Sequence, residues 1–477
     1  MGLPYFNHHQ IAAVIDLSFG DSGKGKIVDL LCEDASLNVR GTGGANAGHT
    51  MNVMGHEIIT HLVPAGILHD IENIMGRGMV ISDAHLINEI KQLEAQGIPV
   101  KERLLKERLY ISKDAHLTTG LHIDDEVRID KLLKVGTTMK GVGPTYAAKG
   151  SRFGVLMGDL HNRDYTASQL RKMGTLIGSS SERVEQVLEQ TFENFEFYKD
   201  LVRPTREIVL KHIKAGNNIV LEGAQGTHLS VEFGSYPMVT SSDCTASGLI
   251  SGCDIHPGLE STIYKLGIAK AYATRVGNGP FPSEYGGEKS EKHCAEDGGK
   301  RWVKQVEDEE FGDSLELANG NDAFLRGIGF RGQGGEYGAT TKRHRRTGAF
   351  DAVATKFAME VNGIQDLAVM KLDVLDKIET LDMATGYTWN FTGDTPYGKV
   401  QEGQSVESYP REAIWPSKIE PKLEQLSGWS EFTTAAKSMD HLPREAVAYV
   451  NRMAEATGGN VVLVSTGPER NDTIIID

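Results

Sequence analysis

The apolar run Ile11-Ala12-Ala13-Val14-Ile15 leads into Gly20-Asp21-Ser22-Gly23-Lys24-Gly25-Lys26, and that into Ile27-Val28-Asp29-Leu30-Leu31. The order predicts a buried strand, a glycine-rich turn and a helix beginning near Ile27. Bare backbone N–H groups and two lysines at a helix N-terminus make an anion site. The spacing fits G-x-x-x-x-G-K, but Ile27 stands where an ordinary phosphate loop has the Ser or Thr that holds Mg2+. Asp21, inside the loop, is the obvious oxygen donor in its place. The competing reading is a Gly/Lys turn on a solvated face.

Further along, short β-type runs alternate with helical stretches. The strand candidates are Met79–Ser82, Asn218–Leu221, Ile263–Thr274, Leu367–Met370 and Asn460–Val464. The helix candidates are Ala84–Gln96, Ser181–Tyr198, Pro204–Ala215 and Pro443–Ala456. This alternation predicts an α/β fold with a large, mainly parallel central sheet flanked by helices, with smaller subdomains. The 477 residues are read as a single domain, and the Gly-, Glu-, Asp- and Lys-rich stretch 283–335 as an exposed insertion within it. No segment nears eighteen apolar residues, so no membrane partner is expected. The four cysteines form no C-x-x-C pair, which points to a reduced, cytoplasmic setting. A formal charge of −15 argues against nucleic-acid binding, while a locally basic pocket can still take phosphate.

Three more patches carry chemistry. Gly41-Thr42-Gly43-Gly44-Ala45-Asn46-Ala47-Gly48-His49-Thr50 sets Asn and His in a loop with little bulk, suited to close approach to a ligand. His49 there is a candidate acid near neutral pH, or simply a satisfied core histidine. Tyr337 to Gly348 runs small and hydroxylated residues into Lys342-Arg343-His344-Arg345-Arg346, an anion-recognition loop or a solvated basic one. Val369-Met370-Lys371-Leu372-Asp373 ends a strand in Lys-x-Asp, which suits the N–H edge of guanine, and Ser465-Thr466-Gly467-Pro468 follows a second buried strand.

In their order along the chain, these patches resemble the adenylosuccinate synthetase family. So do Gly136-Thr137-Thr138, Gly141-Val142-Gly143-Pro144, Glu222-Gly223-Ala224-Gln225-Gly226-Thr227, Tyr236-Pro237, Val239-Thr240-Ser241-Ser242 and Thr274-Arg275-Val276-Gly277. The resemblance spans nearly the whole chain. It implies that GTP phosphorylates O6 of a 6-oxopurine nucleotide and that the amine of L-aspartate then displaces the phosphate. Asp21, His49 and Gln225 are the implied catalytic residues: Asp21 takes the N1 proton and His49 acts as a general acid at the phosphoryl group. Asp21 and the Gly48 carbonyl are the implied Mg2+ ligands. GTP is assigned to Gly20, Ser22, Gly23, Lys24, Gly25, Lys26, Gly48, His49, Thr50, Arg345, Lys371, Leu372, Asp373, Ser465, Thr466 and Gly467. The substrate nucleotide is assigned to Asp21, Ser22, Asn46, Ala47, Thr138, Arg152, Gln225, Thr240 and Arg343. Aspartate falls to Ala339, Thr340, Thr341, Arg343 and Arg345. Arg152 matches an arginine that crosses from a neighbouring subunit, which implies a homodimer.

The departures concern the base. The family's usual loop reads W-G-D-E-G-K-G-K; here Phe19 replaces the tryptophan and Ser22 the glutamate beside the catalytic acid. That exchange removes bulk and charge where a purine 2-amino group projects. The segment Val14 to Gly20 resembles a phage-associated branch that uses dGMP to make the 2-aminoadenine precursor, so dGMP is the favoured substrate and the setting would then be a host cytoplasm. Retained Asp21 and Lys371/Asp373 favour the alternative, IMP. A non-catalytic nucleotide sensor is disfavoured by the retention of Asp21 and His49. A dinucleotide oxidoreductase is disfavoured because the loop lacks G-x-G-x-x-G spacing.

Overall fold

The computed structural model describes residues 9–53, 55–105, 107–133, 137–295, 303–338, 343–412 and 414–476. The chain, expected as one domain, forms two compact units: Met1–Ile15, Lys24–Gln225 and Thr240–Tyr264 in the first, Asp16–Gly23, Gly226–Val239 and Lys265–Asp477 in the second.

The first unit is built on parallel strands. Ile11–Asp16 lies beside Ile219–Glu222, then Leu37–Arg40, Glu72–Met75, Leu109–Ser112 and Val202–Arg203. Ile11–Asp16, Leu37–Arg40 and Ile219–Glu222 are buried at every position, which explains their near-continuous apolar character. The exceptions are Asp16, Asn38, Arg40 and Glu222, polar residues that have to be matched inside the sheet. The register sets Glu222 between Val14 and Arg40, at the carboxyl ends of the strands. Ligands of open α/β sheets bind at such ends.

In the second unit Ile263–Lys270 pairs in parallel with Asp366–Met370, which pairs in parallel with Asn460–Ser465; Thr473–Ile475 closes that row antiparallel. A ribbon of Ala273–Val276 with Arg345–Gly348 and a three-stranded sheet of Phe350–Asp351, Thr380–Trp389 and Ile419–Ser427 complete it.

Several boundaries match the sequence reading. The helix Ser181–Tyr198 is found where expected, capped by the Ser180 hydroxyl, which accepts from the Arg183 N–H. The helix after the phosphate loop begins at Lys24, three residues before Ile27. The run Ile263–Thr274 is two strands rather than one, because the chain leaves the sheet after Lys270 and re-enters a ribbon at Ala273. The stretch 283–335 departs furthest from expectation. Its described part is largely helical, at Gly287–Ala295, Lys304–Phe311, Ser314–Ala318 and Ala323–Gly334, and it is not uniformly exposed. Phe330 is packed in the core with Tyr272, Tyr285 and Ala318, and Arg331 and Glu307 are fully buried as an ion pair. Among the described residues no helix is long and apolar enough to cross a membrane.

Candidate active site

In the loop that follows Ile11–Asp16, Gly20, Asp21 and Gly23 all have left-handed backbone, with φ of 84°, 56° and 92°. Glycine adopts this conformation without penalty, but aspartate does so at a cost met where the surroundings enforce it, and such positions cluster at functional sites. Gln225 (φ 53°), Lys371 (φ 61°) and Arg152 (φ 65°), three more of the expected site residues, share it.

Within the first unit, Gly25 allows the helix Lys24–Cys32 to approach the strand His49–Val53: a Cβ there would lie 3.0 Å from the Thr50 carbonyl and 3.2 Å from His49 Cβ. Lys24 donates to the Gln225 carbonyl at 2.6 Å. Gln225 Nε2 is buried and has no protein partner. Asn46 donates to Thr240 Oγ1 at 3.2 Å, which joins two of the expected nucleotide-binding residues. The Ala47 carbonyl is 2.6 Å from His61 Nδ1. Thr138 and Arg152 are exposed, and among the described residues neither joins the hydrogen bonds of Asn46, Gln225 and Thr240.

His49 is 4% exposed, and its Nδ1 lies 2.5 Å from Glu222 Oε1. Burial lowers the His49 pKa, with Lys24 and Arg40 adding to the effect and Glu222 opposing it. Burial alone would raise Glu222, but His49 and Arg40 hold it below the usual carboxylate range. Nothing in the sequence reading gave Glu222 a role. The available signal was a lone carboxylate ending an otherwise apolar strand, immediately before the Gly-Ala-Gln turn.

Within the second unit, Ser22 is fully buried. Its hydroxyl lies 2.7 Å from Ser18 Oγ and 3.3 Å from the Gly20 carbonyl, while Ser18 Oγ donates to Asp16 at 2.8 Å. Phe19, the tryptophan replacement, is buried against His228 and Phe281 with the Arg275 guanidinium over its ring. Asp21 is partly exposed, and its Oδ2 meets Arg345 Nε at 3.1 Å. Arg345 in turn donates to Glu336 Oε2 at 2.7 Å, and Lys270, Lys371 and the Tyr272 hydroxyl all reach Glu336 Oε1 within 2.9 Å. Burial would raise Glu336, but the three cations hold it well below its ordinary value; burial lowers Lys270 to about 7. Glu336, like Glu222, was missed: its partners lie 9 to 66 residues away in sequence. The register Val369↔Val464 places Lys371-Leu372-Asp373 and Ser465-Thr466-Gly467 at the ends of neighbouring strands. Ala339, Thr340 and Thr341 lie outside the described residues; beside them, the Gly338 N–H donates to the Arg343 carbonyl at 2.8 Å.

His293, Glu307 and His344 bring possible metal-ligand atoms within 4.8 Å of one another. Glu307 already accepts from Arg331 (3.0 Å) and from the Tyr337 hydroxyl (2.7 Å), and the two imidazoles stack face to face. The group is an ion-pair clasp rather than a metal centre.

A strained glycine-rich loop with buried lysines, placed after a parallel strand, together with a buried histidine–carboxylate pair, defines an α/β enzyme built around phosphate. The chain belongs to the adenylosuccinate synthetase family, GTP- and aspartate-using ligases, and matches it over residues 13–474. It is 39% identical over 474 residues to the adenylosuccinate synthetase of Vibrio parahaemolyticus, covering 97% of each chain. The fully ligated adenylosuccinate synthetase of Plasmodium falciparum superposes with a TM-score of 0.80 at 29% identity, over 98% of this chain and all of that one. The succinoaminodeoxyadenylate synthetase of cyanophage S-2L, bound to dGMP and to dATP as energy donor, superposes with a TM-score of 0.56 at 18% identity, over 98% of this chain and 95% of that one. The second likeness shows a shared fold.

Proposed function

We propose that the chain transfers the γ-phosphoryl group of GTP to O6 of a purine nucleotide and then joins L-aspartate at C6, with dGMP as the favoured nucleotide. The observation that carries the ligase reading is His49: a buried imidazole held at Nδ1, with its Nε2 left for a ligand. Asp21 removes the N1 proton so that O6 becomes nucleophilic, and Gln225 offers its buried amide to the developing oxyanion. His49 meets the transferring phosphoryl group, while Lys24, Lys26 and the loop N–H groups bind phosphate oxygens. Lys371 and Asp373 read the guanine of GTP, with Ser465 to Gly467 beside them. Arg343 and Arg345 hold carboxylate and phosphate as bidentate partners.

By the resemblance, the Asp21 carboxylate, partly exposed, and the Gly48 carbonyl would be the Mg2+ ligands, both hard oxygen donors of the kind that ion takes. Bound there, the ion would supply charge neutralisation at the phosphates.

The dGMP reading is supported by Ser22. Its hydroxyl is turned into the Asp16–Ser18 ring and buried, so of the two ways it could favour a 2-amino group, the geometry supports leaving room over accepting a hydrogen bond. IMP is the second reading, favoured by the 36–39% identity to relatives named adenylosuccinate synthetase. Purified protein with GTP, Mg2+ and aspartate, offered IMP, GMP and dGMP separately, decides between them by the succinylated product formed. No such product from any nucleotide would overturn the ligase reading.

A further inference from the structure

We infer that Glu307 is a positioning residue for aspartate: from a helix of the stretch 283–335 it holds both arms of the hairpin that carries Arg343 and Arg345. The inference rests on the proposed role of those two arginines toward the amino acid. Geometry carries it. Glu307 lies on the helix Lys304–Phe311 and is 1% exposed. One of its oxygens accepts from Arg331 Nη1 at 3.0 Å and lies 3.4 Å from His344 Nε2. The other accepts from the Tyr337 hydroxyl at 2.7 Å. Tyr337 and His344 face each other across the hairpin as an antiparallel bridge, and His344 sits between the two arginines. One buried carboxylate therefore reaches both arms.

Two more helices of the same stretch complete the hold. Arg331, on Ala323–Gly334, is fully buried, and its Nε donates to the Arg345 carbonyl at 3.1 Å. His293, on Gly287–Ala295, stacks on His344 with ring centroids 4.9 Å apart, and Phe311 and Phe324 meet His293 edge-on. Burial lowers His344 to about 2, so the ring is neutral and packs beside Arg331 without opposing it. The hairpin itself contributes little. Among the described residues its loop side is joined by that one bridge and by the Gly338 N–H to Arg343 carbonyl bond, and so short a ribbon does not hold its own direction in water. The direction in which Arg343 and Arg345 leave the protein is set by what the arms are fastened to, and Glu307 is the group at which the fastenings meet.

Replacing Glu307 by glutamine keeps its volume and removes its charge. The five residues assigned to aspartate all lie between 339 and 345, whereas GTP and the substrate nucleotide keep most of theirs elsewhere. Because a small misplacement of a substrate-positioning group can cost ~10²-fold, Glu307→Gln should raise KM for aspartate by up to that factor, with KM for GTP and nucleotide moving by no more than about a tenth of it. Cleavage of free protein by trypsin after Arg343 or Arg345, read by mass against cleavage elsewhere in the chain, should speed up as the arms loosen. Glutamine leaves Arg331 buried without a counter-charge, which can stop the chain folding. Tyr337→Phe is the milder second variant: it removes one hydrogen bond, and should raise KM for aspartate about tenfold.

A Glu307→Gln protein that folds with unchanged KM for aspartate overturns the inference, and so does one in which all three KM values rise together, as from a general loosening. If the glutamine variant does not fold, an unchanged KM for aspartate in Tyr337→Phe overturns it. Should wild type form no succinylated nucleotide, the proposed function falls and the hold on the hairpin is judged by trypsin alone. Faster cleavage after Arg343 or Arg345 in either variant then supports it, and equal cleavage overturns it.

Discussion

Three atoms fix the Ser22 hydroxyl in place: Ser18 Oγ, the Gly20 carbonyl and, through Ser18, the Asp16 carboxylate. The Ser22 N–H adds a contact to the other Asp16 oxygen at 3.3 Å. A glutamate at this position cannot take the serine's place in the ring, because its carboxylate would face that of Asp16. It must turn outward, toward whatever the loop binds. Ser22→Glu is therefore expected to shift preference from dGMP toward IMP by about 1–3 kcal/mol, roughly ten- to hundredfold in relative kcat/KM. The measurement is kcat/KM for both nucleotides in both proteins. Wild-type turnover of IMP but not of dGMP would refute the premise. The identity of Ser22 as an outlier was legible in the sequence, since it breaks a familiar loop. Its orientation was not, because Asp16 and Ser18 read only as the end of a strand and the start of a turn.

At the scale of elements, the helix Ala352–Asn362 shows how one side chain serves two neighbours. Asp351 accepts from the Ala354 N–H at 3.0 Å as the cap, and from the buried Tyr387 hydroxyl at 2.6 and 2.7 Å. Asp351→Ala removes the cap, worth about 1 kcal/mol. It also orphans the hydroxyl, at a cost of about 1–3 kcal/mol. Thermal unfolding should show a clearly lowered Tm, and Tyr387→Phe added to Asp351→Ala should restore part of it. A double variant no more stable than the single one would mean that the hydroxyl finds another partner. Elements with local signals were legible: Ser181–Tyr198 carries its cap and its periodicity in the sequence. The carboxylates Glu222 and Glu336 were not, since each gains its meaning from strands and loops distant in the chain. Nor was the burial of Ala323–Gly334, because a Gly-rich composition hides an element whose core contacts are Phe330 and Arg331.

For the whole molecule, acid is the sensitive direction at its buried histidines. His122 is fully buried, its Nδ1 accepts the Thr119 N–H at 3.0 Å, and burial lowers it to about 3. Its unfolded value lies near 6.5, so the stability from keeping it neutral is full above that pH and is lost as pH falls toward 3. At pH 5 the loss is ~2 kcal/mol. Burial raises Glu89 to about 7, and that carboxyl acts in the other direction. The informative comparison is therefore the change in unfolding free energy between pH 7.5 and 5 in wild type and in His122→Gln. The variant should lose ~2 kcal/mol less; equal losses would show that His122 is not held neutral. Assembly gives a second test at this scale. Arg152 is exposed with strained backbone, as suits a residue acting on a partner copy. Arg152→Leu mixed with Asp21→Asn should regain activity that neither parent has, and failure after proven subunit exchange would remove Arg152 from the partner's site.

The strand order of the first unit also bears on how the protein is made. Ile219–Glu222 lies between Ile11–Asp16 and Leu37–Arg40, two strands that a ribosome delivers early. His49 must wait 173 residues for Glu222. Until then the nascent chain holds two apolar strands with unpaired edges, the state most open to aggregation during synthesis. The segment that completes the histidine's surroundings is thus also the one whose late emergence sets how long the growing chain needs protection.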